Sequence, residues 1–324
     1  MVLGLILLLQ SLTIAVSGPP TSPEYLPLRL AEAEGYFADA GLAVTLRSTR
    51  ADAGAAEALA QQQADLAATS VEAALRFGMA KTGEAPHIVF GLTAAPPAVL
   101  AVPAAFGPTT RSVRDLAGSA VGISSPGAPE QTWFLALLAR AELRVSQVSL
   151  LSYGERALAE ALAHGQLRAG LVDDPLASRL LADGTVTALA DFRDPDGSAR
   201  ALGRPTVHAA VFESARRRVP DAQLEALAQA LLRAVARLET ASADELVARL
   251  PRQAVGLPDD FAVRLAGSRS LYLPQGLVEP PALEATIAMI REYVPLPKVL
   301  RGARVAEMLR LGPLRRVLTP GGAR

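Results

Sequence analysis

The sequence predicts a two-lobed α/β protein whose sheets are mixed but mostly parallel. Three observations predict it. The chain has 324 residues, more than the ~150 of an average domain. Short apolar runs alternate with capped amphipathic segments, the pattern of a sheet covered by helices on both faces. The alternation also falls into two series, followed by an almost wholly helical tail.

The first series opens with an apolar strand at 12–16 and a loop at 17–20. Thr21 and Glu24 have capping-box spacing, with Pro23 suited to a first helical turn. That helix is expected to run to about Glu34, where Gly35 can take the positive φ of a helix stop. A strand at 43–46, a helix from Asp52 to about Gln62 and a strand at 64–68 follow. Thr69 and Glu72 form a second box-like pair opening a helix to about Ala80, and 87–92 is a fourth strand.

The second series begins with a proline-flanked strand at 98–102. Residues 112–118 read as one capped turn ended by a glycine, and 120–123 as a strand. The loop 124–129 leads into a helix that Pro129 can start and that carries Trp133. A strand at 148–151, a helix at 155–164 stopped by Gly165, and a strand at 169–172 come next. Asp173, Asp174 and Pro175 make a strong helix start. Further strands are expected at 186–190 and 207–212, then helices including 221–239 and 282–293.

Composition narrows the function classes. Half the residues are hydrophobic, and 32 basic residues balance 32 acidic ones. A large core fits this balance, and a broad nucleic-acid footprint, which needs a basic excess, does not. There is no cysteine, so disulfides, thiolate catalysis and cysteine metal sites are excluded. The three histidines, His87, His164 and His208, are not paired at metal-ligand spacing. No nucleophile elbow, zinc helix motif, P-loop or dinucleotide fingerprint occurs, and no cofactor is expected. Residues 2–9 are apolar but lack the basic start of a secretory signal and are too short to span a membrane. They read either as a clipped leader or as an extension of the first strand.

In such sheets ligands bind beyond the carboxyl ends of strands, where loops meet helix N-termini. Three loops there are rich in hydroxyl residues: Ser17-Gly18-Pro19, Thr69-Ser70, and Ser124-Ser125-Pro126-Gly127. Orphan N–H groups at a helix start favour an anion or a polar oxygen.

Segments in register carry a family resemblance. They are 25–44 (YLPLRLAEAEGYFADAGLAV), 58–68 (ALAQQQADLAA), 112–127 (SVRDLAGSAVGISSPG) and 161–175 (ALAHGQLRAGLVDDP). In order, they resemble the ABC-importer solute-binding proteins for nitrate, sulfonates and taurine, and their relatives that bind thiamine-type pyrimidines. The resemblance covers roughly 12–239. It implies a type II periplasmic-binding-protein fold, with residues 11–97 and 213–324 in one lobe and 98–212 in the other. Crossing segments would lie near 92–98 and 212–220. It implies capture of a small polar molecule by hinge closure, a periplasmic or extracytoplasmic location, a permease and ATPase as partners, and a monomer that is no enzyme.

Carried over by position, the ligand contacts would be Ser17, Gly18, Tyr25, Thr69 and Ser70 in one lobe, and Ser124, Ser125, Gly127 and Asp174 in the other. Beside these stand plainer readings. Thr69 and Glu72 would serve only as a cap, Asp174 only as a helix start, and Trp133 and His208 only as core. Departures from the family pattern also matter. Gly127 is followed by Ala128 and Pro129 rather than a hydroxyl residue, and Glu130 puts a carboxylate in the same first turn. A carboxylate there competes with a bound anion, which leaves room for a neutral or cationic heterocycle with Asp174 or Glu130 as acceptor. The alternative function is an enzyme of the same fold acting on a small biosynthetic precursor.

Overall fold

The computed structural model describes residues 10–49, 52–79, 82–123, 129–294 and 304–319. The apolar stretch at 2–9 and the site candidates Ser124, Ser125 and Gly127 lie outside the described residues.

Ten strands form two five-stranded sheets. The first contains β1 (Gln10–Val16), β2 (Leu42–Ser48), β3 (Leu66–Ser70), β4 (His87–Thr93) and β10 (Ala209–Glu213), in the order β2-β1-β3-β10-β4. The second contains β5 (Ala98–Pro103), β6 (Ala120–Ile123), β7 (Ser149–Ser152), β8 (Ala169–Asp173) and β9 (Val186–Asp191), in the order β7-β6-β8-β5-β9. β1 runs parallel to β2 and β3, and β6 parallel to β7 and β8. One strand in each sheet is reversed, β10 in the first and β5 in the second. The other four strands of each sheet therefore share one direction.

Burial explains which runs became which strands. β3, β5 and β10 are buried along their whole length, so they read as continuous apolar segments, as strands covered on both faces should. β2 is an edge strand with alternating exposure. Ile14, Leu66, Phe90 and Phe212 fill the first core, and Leu100, Val121, Phe134 and Leu171 the second.

The two sheets are built alike, and each reversed strand is the first strand after the chain changes sheets. β5 follows the crossing out of β4. β10 follows the return crossing, because Ala209–Glu213 pairs with both β3 and β4. The return therefore precedes Ala209, and the expected crossing near 212–220 is corrected. The 207–212 run was expected to close the second lobe. Its apolar residues instead fill a slot between β3 and β4, a long-range pairing that no local pattern encodes.

Two other expectations change at helix starts. Thr21 and Glu24 do not form a capping box. The chain turns at Ser22, where no side-chain cap forms, and Pro23–Tyr25 is a single 3-10 turn before the helix Leu26–Ala33. Nor do Thr69 and Glu72 form one. Ser70 is the N-cap of the Val71–Ala73 helix, its Oγ accepting from the Ala73 N–H at 3.1 Å.

The C-terminal helices bridge the two sheets. Helix Asp221–Thr240 packs on Leu26–Ala33. Helix Pro258–Ser268 packs on both Leu176–Ala182 and the Pro23–Tyr25 turn, and Pro280–Tyr293 on both Val71–Ala73 and Pro129–Arg140. Among the described residues no helix is long and apolar enough to cross a membrane.

Candidate functional site: an acid-lined interlobe cleft

The carboxyl ends of β1 and β3 in the first sheet face that of β8 in the second. At the end of β1, Ser17 is fully buried; its N–H donates to Ala68 O (3.0 Å) and its hydroxyl to Thr69 Oγ1 (2.9 Å). Gly18 follows at φ 69°, and a Cβ there would lie 2.8 Å from Ser22 Oγ. Only glycine adopts that backbone without strain. Tyr25 is buried behind this turn. Of the expected first-lobe contacts, Ser17 and Thr69 are thus tied by hydrogen bonds across β1 and β3, with Gly18 and Ser70 next to them in the chain.

The opposite wall separates two adjacent aspartates. Successive strand residues point to opposite faces, and Asp173 and Asp174 obey this at the end of β8. Asp174 turns away into a buried network. Its Oδ1 accepts from the Ser178 N–H at 2.8 Å and lies 3.6 Å from Arg193 Nη1. Arg193 also donates to Ser178 Oγ and grips Asp191 through two nitrogens. Burial raises the Asp174 pKa, opposed by Arg193 and the Ser178 hydrogen bonds. Asp174 therefore starts helix Leu176–Ala182 and pairs with Arg193, while its Oδ2 is buried with no hydrogen-bond partner among the described residues.

Asp173 turns the other way, towards Glu24 of the first lobe and Glu130 of its own. Burial pushes its pKa up to about 7; the Glu24 charge adds to the rise, and a hydrogen bond with Glu130 works against it. Glu130 sits in the first turn of helix Pro129–Arg140 and is buried. Glu24 lies 3.8 Å from His208 Nε2.

Contacts also run directly between the lobes. Thr132 Oγ1, in that same first turn, donates to Glu72 Oε2 at 2.7 Å, and both residues are buried. Trp133 packs edge-on against His208, with ring centroids 6.0 Å apart, and within its own lobe against Phe192 at 5.8 Å. Arg76 lies 3.6 Å from Glu72.

Three carboxylates, Glu24, Glu130 and Asp173, thus meet from both sides, and a fourth, Glu72, reaches Thr132 on the helix that carries Glu130. Among the described residues, Arg76 lies beside Glu72 and His208 beside Glu24. Such a site attracts positive charge and N–H donors and opposes a bare anion. Among the described residues no group has the geometry to hold a metal ion. Sequence reasoning singled out Glu130 and missed Glu24, Glu72, Thr132 and Asp173. The signal for Asp173 was its place at the last inward position of β8.

The sequence profile of the family described as NMT1/THI5 like matches residues 22–193, more than half of the chain and all the cleft residues named above except Ser17, Gly18 and His208. The chain belongs to the NMT1/THI5-like family. Solved structures agree on the fold. A protein of Bordetella bronchiseptica RB50 superposes with a TM-score of 0.74 at 24% identity, over 95% of this chain and 96% of that one. The alkanesulfonate-binding protein SsuA of Xanthomonas axonopodis pv. citri, bound to MOPS, gives 0.65 at 20% identity, over 92% and 97%. The periplasmic aliphatic sulphonate-binding protein SsuA of Escherichia coli gives 0.72 at 17% identity, over 92% and 91%. No curated protein sequence matches the chain. For this NMT1/THI5-like protein the type II periplasmic-binding fold expected from the sequence is the fold observed.

Proposed function

We propose that this protein is the solute-binding component of an ABC importer and that it captures a small molecule carrying N–H donors or positive charge. The observation that carries the reading is the convergence of Glu24 with Asp173 and Glu130 from opposite lobes. A ligand reaching both walls favours the closed arrangement by its differential contacts, and a cation there offsets the cost of burying several carboxylates together. A pyrimidine-type heterocycle with an amino group fits this chemistry. A sulfonate or a carboxylate fits it poorly, although sulfonates are what the SsuA proteins are named for binding.

Ser17, Gly18, Tyr25, Thr69 and Ser70 supply the polar first-lobe wall in this reading. The loop of Ser124, Ser125 and Gly127 supplies backbone and hydroxyl donors from the second lobe. Asp173 replaces Asp174 as the second-lobe acceptor. We take the second lobe as residues 98–206, with the flanking segments forming the first. The protein works as an extracytoplasmic monomer that delivers its ligand to a permease and ATPase, and it does no chemistry on that ligand.

A thermal-shift panel tests this. A ligand at 100 times its Kd stabilises the folded state by about 2.7 kcal/mol. Aminopyrimidines are expected to raise Tm, with alkanesulfonates and nitrate giving no shift. A shift with sulfonates alone overturns the ligand class. No shift with any member, alongside turnover of a precursor, overturns the transport reading.

A further inference from the structure

We infer that Thr132 and Glu72 form a latch across the cleft that sets the balance between open and closed lobes, independently of which ligand is bound. The inference takes its two-lobed capture from the reading above but adds a device to it. Glu72 lies on the Val71–Ala73 helix beyond β3, whose N-cap is Ser70, and its Oε1 lies 3.6 Å from Arg76 of the same lobe. It reaches across the cleft and accepts the Thr132 hydroxyl at 2.7 Å. The two residues are only 6% and 4% exposed.

A hydroxyl bound to a carboxylate in a water-poor site is among the stronger side-chain hydrogen bonds. Parting the lobes breaks it and rehydrates both groups. Closing without it buries Glu72 with its cross-cleft partner lost, which is the costlier direction. The neighbouring residue strengthens the geometry, because Trp133 makes the edge-on contact with His208 across the same gap. Helix Pro280–Tyr293 packs on both helices that carry the pair, so the latch lies beneath a shared cover rather than at the open mouth.

The test uses the ligand-free, full-length protein. The chain has no cysteine, so Gln61→Cys and Ala157→Cys, exposed positions on opposite lobes, accept a unique pair of spin labels. Distance distributions are then compared for five backgrounds: unaltered, Thr132→Val, Thr132→Ser, Glu72→Ala and the Thr132→Val/Glu72→Ala double variant. Thr132→Val is expected to raise the open-to-closed ratio about tenfold, from the loss of one charge-assisted bond. Thr132→Ser, which keeps the hydroxyl, is expected to restore it. The Thr132→Val/Glu72→Ala double variant is expected to be no more open than either single variant, the mark of a direct pair. Should Thr132→Val fold poorly, the serine variant and Glu72→Ala still decide the matter. Identical distance distributions in all backgrounds overturn the latch, as does additive opening in the double variant. Neither result touches the proposed ligand, because none is present.

Discussion

Asp173 of the second lobe faces Glu24 of the first across the cleft, while its neighbour Asp174 is turned away into contact with Arg193. Two consecutive aspartates therefore do different work. One lines the cleft, and the other fastens helix Leu176–Ala182 to the body of its lobe.

The raised pKa of Asp173 makes stability depend on pH. Its unfolded value is near 3.8 and its folded value about 7. The folded state therefore holds the proton more tightly. The stability this contributes is fully present below the unfolded value and is lost as pH rises through about 7. Between pH 5 and 8 the ligand-free protein is expected to lose a few °C of Tm relative to Asp173→Asn, whose amide does not titrate. Melting curves of both proteins at several pH values check this. Parallel pH profiles contradict it.

Glu213 gives the opposite sign at a site remote from the cleft. It is fully buried, with His87 at 3.4 Å, Arg310 as a close partner and the Val219 N–H donating to it at 3.0 Å. Burial alone would raise its pKa, but these hydrogen bonds overcome it and hold the carboxyl below its usual value. That stability is present above the unfolded pKa and lost as pH falls through the folded one. Arg310→Ala leaves a buried charge short of its main partner and is expected to cost about 3–5 kcal/mol. Denaturant unfolding measures it. A loss under 1 kcal/mol would show that the arginine is dispensable.

The Ser17–Thr69 hydrogen bond is expected to support binding through the wall it shapes. Thr69→Val removes the acceptor from a buried hydroxyl and is expected to cost about 1–3 kcal/mol of stability. Ligand affinity should fall with it, because both residues end strands that face the cleft. Chemical denaturation and titration calorimetry separate the two losses.

Trp133 is the chain's one tryptophan and touches His208 of the opposite lobe. Its emission is therefore expected to respond to ligand. His208→Ala is expected to abolish most of that response while leaving the helix Pro129–Arg140 folded, as judged by circular dichroism. An unchanged response would place the fluorescence signal elsewhere.

Much of the fold was legible because strand–helix alternation is written locally. β6 and β9 fall where apolar runs end at turn signals, and Gly35 and Gly165 stop their helices at positive φ. β10 was legible as a strand but not as a member of the first sheet, since its partners β3 and β4 lie more than a hundred residues earlier. The site was legible as loops at strand ends, and Glu130 as an obstacle to anions. Which aspartate enters the cleft depends on where the pleat of β8 ends, and a one-residue slip reverses the answer. Glu72 looked like a capping partner for Thr69 because the spacing is right. Its partner across the cleft, Thr132, is distant in sequence and meets it only through the apposition of two sheets.

The central claim is that the cleft selects positive charge or N–H donors, and titration calorimetry of one protein with two ligands tests it most directly. An aminopyrimidine and an alkanesulfonate of similar size are titrated into the unaltered protein and into Glu24→Gln. One-to-one binding of the aminopyrimidine is expected, weakened about tenfold or more in Glu24→Gln, with no measurable binding of the sulfonate. Tight sulfonate binding that survives or improves in Glu24→Gln would contradict it.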